Sequence, residues 1–275
     1  MRRACGLRSL LAAAAVVAAV PAAAQDAFEI QVYDATTAGP LEPGLEVHLN
    51  HFVEGSTQPG PGGEVPTDGL THLTFEPHLG ITRWWELGFY LQTAIRPDGG
   101  WDSGGVKFRT KFRWPESVGA FRFALNIEVS RVSKRYEADG WGSELRPIID
   151  ARWGRWYVSI NPIVDIPLAG ADAWKPDFEP ATKASFDIEK SWAVGFETYS
   201  SFGQFGNFLP WDQQTHRIFL VLDSSWDWFG FNVGVGYGTA PDRWIVKAIF
   251  SFSPPERPQR ASTIGRSSEP QPSAS

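Results

Sequence analysis

Four cations alternate with apolar or small residues along one short segment of the chain. They are Lys107, Arg109, Lys111 and Arg113. Successive side chains of a β-strand point to opposite faces, so this spacing predicts that all four charges lie on one face of a strand. Four cations in a row are hard to neutralise locally. The row therefore favours water or an anionic ligand beside it, provided that this face meets an aqueous space.

Further charged residues occupy the same polar positions in other alternating segments. Three more cations are predicted beside the first four, namely Arg122, Arg146 and Arg152. An acidic set is predicted across the fold from them and consists of Asp165, Asp187, Glu189 and Glu197. Two interpretations stay open. A cationic wall could face an acidic wall across water and sort solutes by charge, or the charges could pair across strands and fill the interior.

The five histidines are weaker candidates for chemistry. Hydrolysis of a lipid ester needs a serine beside a histidine base, and no serine lies two residues from any histidine in the chain. A metal site is conceivable from four side chains of the first two predicted strands, which are His48, His72, His78 and Glu76. A polar cluster that faces the interior explains them more simply. We therefore predict no catalytic residue, no metal ion and no cofactor.

The elements that position these residues follow from a period of two that runs from Gly44 to Phe252. It divides the chain into twelve segments, whose bounds are 44–53, 69–81, 85–95, 105–114, 119–131, 143–153, 156–166, 181–189, 192–201, 214–223, 228–238 and 243–252. Ordinary strands average about five or six residues, whereas a tilted strand that crosses a membrane needs about nine to eleven. No segment shows a sustained helical repeat. The sequence predicts an all-β fold, a transmembrane antiparallel up-and-down β-barrel of about 12 strands.

The links between the segments alternate in length. In chain order they contain 15, 3, 9, 4, 11, 2, 14, 2, 12, 4 and 4 residues. Membrane barrels show this alternation because one rim carries short periplasmic turns and the other carries longer extracellular loops. A soluble, secreted, tryptophan-rich binding module is the alternative, and it would give no physical reason for such sorting.

Eight tryptophans fall in the predicted short turns or at the strand ends beside them. They are Trp84, Trp85, Trp114, Trp153, Trp156, Trp192, Trp226 and Trp228. An indole ring is stable at the boundary between hydrocarbon and headgroups, where its ring is in an apolar layer and its N–H reaches water. These residues predict an aromatic girdle at one rim. Four others are predicted in the long loops, namely Trp101, Trp141, Trp174 and Trp211.

The glycine-rich alternating strands, the tight turn within 79–88 and the late aromatics Phe250 and Phe252 resemble those of bacterial outer-membrane β-barrels. More narrowly, the chain is similar over most of residues 28–252 to small porin-like transporters of the phenol-degradation MetA type. The resemblance implies a Gram-negative outer-membrane channel or uptake protein for small molecules, and it brings no catalytic residue with it. Such barrels usually end on an aromatic residue, whereas 23 residues follow Phe252 here. A closed structural or ligand-binding barrel is the alternative.

Residues 1–24 have the pattern of a secretory signal peptide. The pattern consists of three arginines near the start, an apolar run over 10–20 and small residues before a predicted cut after Ala24. The single cysteine would leave with this segment, which excludes a disulfide framework. Loss of the three arginines would leave 22 basic groups against 31 acidic ones, a net charge of −9. This charge gives no support to nucleic-acid binding.

Two segments flank the predicted barrel of residues 44–252. Residues 25–43 precede it, and the alternation over 28–33 leaves open a short extra strand or a segment tucked into the lumen. Residues 253–275 are rich in proline, serine and arginine, and we predict that they are disordered. The expected partners are outer-membrane lipid and lipopolysaccharide, the barrel-insertion machinery and a small-molecule solute.

Overall fold

Fourteen strand segments of one antiparallel sheet build the wall of a barrel. The structure is a computed structural model of the chain, and it describes residues 26–239 and 241–254. The predicted signal peptide and the part of the predicted tail beyond residue 254 lie outside the described residues. The segments are β1 (Pro43–Glu54), β2 (Thr71–Thr82), β3 (Trp85–Ile95), β4 (Trp101–Arg113), β5 (Phe121–Val132), β6 (Trp141–Trp153), β7 (Trp156–Asn161), β8 (Val164–Pro167), β9 (Asp177–Phe178), β10 (Ala181–Glu189), β11 (Trp192–Ser201), β12 (Thr215–Ser225), β13 (Phe229–Gly238) and β14 (Trp244–Phe252).

The sheet closes on itself because β1 pairs with both β2 and β14. At this seam Leu45 lies opposite Phe252, and Phe52 lies opposite Ile245. β7 and β8 together fill one position in the ring, and so do β9 and β10, which gives twelve strands around it. The predicted all-β barrel of twelve antiparallel strands is therefore confirmed. Among the described residues, no helix is long and apolar enough to cross a membrane.

The observed strands agree closely with the predicted segments, and β4 differs most. It begins at Trp101 rather than at residue 105, and β6 begins at Trp141 rather than at residue 143. A β-bulge causes the first difference. Two consecutive residues of β3 pair with Gly105 and Ser103 of β4, so the residue of β4 between these two has no partner on β3. The bulge moves the alternation by one residue. The prediction that Trp101 and Trp141 lie within the long loops is therefore wrong, because each residue is the first of a strand.

The seventh predicted segment is interrupted. Residues 156–166 were expected to form one strand, but Pro162 and Ile163 separate β7 from β8. Proline has no N–H to donate to a sheet, so a strand readily breaks at such a position. On the neighbouring strand, Pro180 stands in the same way between β9 and β10. The ring stays continuous because β8 pairs with both β6 and β9.

The barrel reverses the usual distribution of polar and apolar side chains. Its outer face carries exposed apolar residues, such as Phe108 at 49%, Phe196 at 55% and Leu220 at 54% exposure. Its inner face buries charged and polar residues, including Arg146 at 0% exposure. Soluble proteins bury apolar side chains and rarely bury charges without partners. This distribution is that of a barrel surrounded by lipid.

Tryptophans mark both ends of the barrel wall. The structure places all eight predicted girdle residues at the end with the short turns, which we call the short-turn rim. At the opposite end, the loop rim, three more tryptophans begin strands: Trp101, Trp141 and Trp244. All three are exposed. The apolar band is therefore bounded by indole rings on both sides, as expected where a wall meets two headgroup layers.

Candidate functional site in the lumen

Residues 26–42, which we call the N-terminal segment, run through the lumen of the barrel. Near the loop rim, the ring of Phe28 packs with Leu70, Val132 and Tyr136. At the short-turn rim, the backbone N–H of Leu41 donates to the carbonyl of Gly80 at 2.7 Å. The segment forms no strand. Of the two alternatives left open by the sequence, the structure thus shows the segment tucked into the lumen.

The wall supplies hydrogen bonds to the backbone of this segment. Polar side chains from the barrel donate to its carbonyls and accept from its N–H groups, which a ladder would otherwise satisfy. The contacts are Asn50 to the Ala27 carbonyl (3.0 Å), Thr74 to the Phe28 carbonyl (3.0 Å), Lys247 to the Ile30 carbonyl (3.0 Å), Arg146 to the Gln31 carbonyl (3.2 Å), Ala35 N–H to Asp150 (2.9 Å) and Ala38 N–H to Glu86 (2.6 Å). The segment is thus held along its length by residues on many strands.

Tyr33 is the residue of the segment with the densest set of polar contacts. Its hydroxyl lies 2.5 Å from a carboxylate oxygen of Glu29 and 2.5 Å from the hydroxyl of Tyr90. Its N–H donates to Asn161 at 2.7 Å, and its carbonyl accepts from Ser159 at 2.6 Å. The side chain is 4% exposed. Tyr33 therefore fixes the middle of the segment to the wall.

The first cation of the predicted row is enclosed by three carboxylates. Lys107 Nζ lies 2.8 Å from Asp26, 2.9 Å from Glu29 and 2.8 Å from Glu128. Two of these acids belong to the N-terminal segment and one to β5. The amine is 5% exposed. The segment thus supplies counter-charge to the wall.

Along the row from Lys107 to the short-turn rim, each cation has fewer carboxylate partners than the one before it. Arg109 lies 2.7 Å from Glu76 and 2.8 Å from Glu86. Lys111 lies 3.5 Å from Asp34 of the N-terminal segment. Arg113, the last of the four, is half-buried and has no ion pair among the described residues. The expectation that the row is hard to neutralise locally is wrong, because β2, β3, β5 and the segment all bring carboxylates to it.

The three additional predicted cations also have acidic neighbours. Arg122 makes two hydrogen bonds with Asp150, both at 2.7 Å. Arg146 contacts Glu144 at 2.6 Å and lies 4.2 Å from the centroid of the Tyr33 ring. Arg152 is exposed at the short-turn rim, where it pairs with Asp187 at 2.5 Å. Arg122 and Arg146 face the lumen, whereas Arg152 lies at its end.

Of the four acids in the predicted acidic wall, Asp187 and Glu197 form ion pairs. Glu197 binds Lys183 at 3.1 Å and also contacts Lys247. The sequence analysis did not single out Lys247, which is completely buried in β14. Its place between Ile245 and Ile249 was the available signal, since alternation places all three on the same inward face. Glu189 is exposed at the end of β10 and does not face the lumen.

Unlike the rest of the lumen, its mouth at the loop rim is dominated by acids. Glu144, Asp165 and Asp177 lie directly opposite one another on β6, β8 and β9. In the neighbouring loop over 133–140, burial and the nearby Asp26 together raise the pKa of Glu137 to about 7. Burial and the nearby Asp172 also raise the pKa of Asp139. Cations entering from this side would be attracted and anions repelled.

The histidines do not assemble into the four-residue set that the sequence suggested. His72 packs against the rings of Phe28 and Phe52, with centroids 4.3 and 5.4 Å away. His48 instead lies 3.1 Å from Glu76 and 3.6 Å from Glu46. The donor atoms of these three residues fall within 4.8 Å of one another, but Glu76 also binds Arg109. The geometry is that of a hydrogen-bonded cluster, and the expected absence of a metal stays a prediction.

One histidine meets a serine across two strands, which sequence distance concealed. His216 Nδ1 lies 2.9 Å from the hydroxyl of Ser200 on the outer face near the loop rim. A hydrolytic site would also need a third polar group that orients the imidazole, and Nε2 has no hydrogen-bond partner among the described residues. His51 and Thr71 form the same kind of pair at 2.9 Å. Both pairs satisfy polar groups on a face that is otherwise apolar.

In sequence, the chain has no match among known families. No protein-family model matches it, and no curated protein matches it. The resemblance to phenol-degradation transporters therefore stays a prediction.

The fold, in contrast, is similar to several solved barrels. An outer membrane channel from Pseudomonas putida F1 superposes with a TM-score of 0.57, at 11% identity, over 82% of this chain and 100% of that chain. The KdgM porin gives 0.51, at 11% identity, over 76% and 99%. The NanC porin gives 0.51, at 6% identity, over 78% and 100%. These likenesses place the fold among outer-membrane β-barrels.

Proposed function

We propose that this protein is an outer-membrane channel or uptake protein for small molecules and that its own N-terminal segment closes it. The observation that carries the proposal is the position of residues 26–42 inside a barrel with an apolar outside and a polar inside. A polar lumen within an apolar wall suits the passage of polar solutes across a membrane. The shared fold with an outer membrane channel and two porins supports the same role.

The charge of the segment determines what its displacement would uncover. Residues 26–42 contain four acidic and no basic residues. Asp26, Glu29 and Asp34 contact Lys107 and Lys111, so removal of the segment would leave these cations facing the lumen. With the segment displaced, Lys107 would keep only Glu128 and Lys111 would lose Asp34, so this part of the lumen would favour anions, whereas the acidic mouth disfavours them. Selectivity is the balance of these two regions.

Conductance of single barrels tests the proposal. The mature chain, residues 25–275, is refolded and inserted into planar bilayers, and heat-modifiable gel mobility verifies that the barrel is folded. We expect long closed periods with rare, discrete openings. A Tyr33→Ala variant should open far more often, because the segment loses its central contacts. Silence from both folded proteins would refute the channel function and favour a closed structural or ligand-binding barrel.

Membrane location has its own test. Cell fractionation of the full chain in a Gram-negative host should recover it with outer-membrane markers. Recovery as a soluble periplasmic or secreted protein would overturn this part of the proposal and favour a soluble binding module.

The proposal assigns no catalytic residue. A lipid hydrolase would have to use Ser200 and His216, which are the only serine and histidine in mutual contact among the described residues. Ester hydrolysis that is abolished by Ser200→Ala but not by the neighbouring Ser201→Ala would favour that function instead.

A further inference from the structure

One arginine interrupts the apolar outer face of the barrel. Apart from the terminal residues of the strands, Arg131 is the only Lys, Arg, Asp or Glu that points outward from the described strands. Its register neighbours on the same face are Val106 of β4 and Trp141 of β6. A charge on the lipid face is strongly destabilising near the midplane and far less so near the interfaces. Arg131 lies one residue from the loop-rim end of β5, so it is at headgroup level.

The guanidinium of Arg131 is held by an indole and lacks a counter-ion. It lies over the ring of Trp141 with 5.5 Å to the centroid. No carboxylate lies within salt-bridge distance of it in the part of the chain that the structure describes. Stacking on an aromatic ring orients the planar guanidinium and leaves its N–H groups available to an acceptor. The residue is thus preoriented for an anion that approaches from the lipid side.

A second cation that forms no salt bridge among the described residues lies on the same hairpin. Lys134 is exposed, and its side chain packs beside Gly140, the residue directly before Trp141. The Lys134 Cγ lies 3.4 Å from the position that a Cβ atom of residue 140 would occupy. The other cations of the described loop-rim region each have an acidic partner. They are Arg96 with Asp102 (2.6 Å), Arg135 with Asp102 (3.3 Å), Lys175 with Asp172 (2.8 Å) and Arg243 with Glu54 (3.9 Å). Arg131 and Lys134 therefore form no salt bridge among the described residues.

We propose that Arg131 and Lys134 bind a phosphate group of lipopolysaccharide in the outer leaflet. An arginine fork fits phosphate oxygens in a bidentate manner, and a lysine adds a point charge. The anion found at headgroup level on the outside of a barrel is a lipid phosphate, and Trp141 packs at the boundary between the sugar and acyl parts of such a lipid. The inference rests on the outer-membrane location proposed above, but not on channel activity.

Retention of a defined lipid tests this site. The refolded mature protein is incubated in detergent micelles with bis-phosphorylated lipid A, with dephosphorylated lipid A or with inorganic phosphate, and bound lipid is counted by native mass spectrometry. We expect the wild type to retain the phosphorylated lipid, with affinity about five- to tenfold lower in Arg131→Gln, as for the loss of a charge-assisted hydrogen bond. Lys134→Gln should have a smaller effect. Arg243→Gln, which removes a paired cation at the same rim, should have none.

The results of this experiment distinguish an error in the phosphate site from an error in the proposed membrane location. Equal retention by wild type and Arg131→Gln, or equal retention of the dephosphorylated lipid, would overturn the phosphate site. Inorganic phosphate that displaces the lipid at equal concentration would show that a free anion suffices, which would also overturn it. Failure of the wild type to insert into bilayers would instead contradict the outer-membrane proposal. Membrane insertion with unchanged lipid retention would contradict the lipid site alone.

Discussion

The hydroxyl of Tyr33 in the N-terminal segment meets the hydroxyl of Tyr90 on β3 at 2.5 Å in the middle of the lumen. Glu128 of β5 also lies 3.4 Å from the Tyr33 hydroxyl, and Arg146 of β6 packs on its ring. Three different strands therefore converge on one side chain of the segment. This convergence makes Tyr33 the most informative position at which to disturb the closed state.

We expect Tyr33→Ala to weaken the closed state by about 3–5 kcal/mol, the usual cost of truncating a large buried aromatic residue. Tyr33→Phe keeps the ring and should cost less. Since 1.4 kcal/mol is tenfold in an equilibrium constant, the ratio of open to closed channels in Tyr33→Ala should rise about a hundredfold or more. Single-channel recording measures it. Equal open probability in Tyr33→Ala and Tyr33→Phe would show that ring packing does not hold the segment.

Lys107 should be more important for stability than a surface cation. Lys107→Gln leaves Asp26, Glu29 and Glu128 close together without their shared cation, and removal of one member of a buried ionic cluster costs about 3–5 kcal/mol. Lys175→Gln is the matched control, since its pair with Asp172 is more than half exposed and should contribute less than about 1 kcal/mol. Urea unfolding followed by tryptophan fluorescence compares the two. Similar losses would contradict the buried role of Lys107.

The loop that carries Glu137 predicts a pH dependence with a definite sign. Burial raises the pKa of this carboxyl from 4.5 to about 7, so the folded state favours its protonated form. Its contribution to stability is fully present below about pH 4.5 and is lost as pH rises through about 7. Glu137→Gln should reduce the fall in unfolding midpoint between pH 5 and pH 8. The pKa of Asp139 is also raised, so part of the pH dependence, with the same sign, should remain in Glu137→Gln. An unchanged pH profile in Glu137→Gln would place the titration elsewhere.

Ion selectivity of the opened barrel should depend on β4. In a Tyr33→Ala background, Arg109→Glu with Lys111→Glu should shift the reversal potential under a salt gradient toward cation preference, because both residues face the lumen. Exposed Arg155 at the short-turn rim supplies the control substitution, Arg155→Glu. Unchanged reversal potentials in the double variant would remove the β4 cations from the selectivity mechanism.

Alternation, together with segment length, the alternating link lengths and the positions of the tryptophans, was enough to predict the barrel. Strands β3 and β11 have the predicted bounds because a period of two continues without a break between their turns, and β10 has them despite a register shift between Asp187 and Glu189. The bulge at Gly104 and Gly105 and the prolines at 162 and 180 were harder to read, since each changes pairing rather than composition.

The partners of the charged residues could not be predicted in the same way. The inward direction of Lys107 follows from its own neighbours in sequence, but its contacts with Asp26 and Glu29 join positions about eighty residues apart. Period-two reasoning sorts residues between two faces and contains no information on which residues meet across the lumen. The N-terminal segment, which forms no strand, therefore had to be placed by the structure.

The path of the N-terminal segment constrains how the barrel is assembled. It descends from the loop rim to the short-turn rim, and the chain then reverses near Leu41 into β1, which is one side of the seam with β14. A wall that closed beforehand would have to admit the chain end through a space already crowded with side chains. Assembly in which β14 joins β1 last, around the segment, avoids that passage. In that order of assembly, the segment would contact the wall strands before the seam closes.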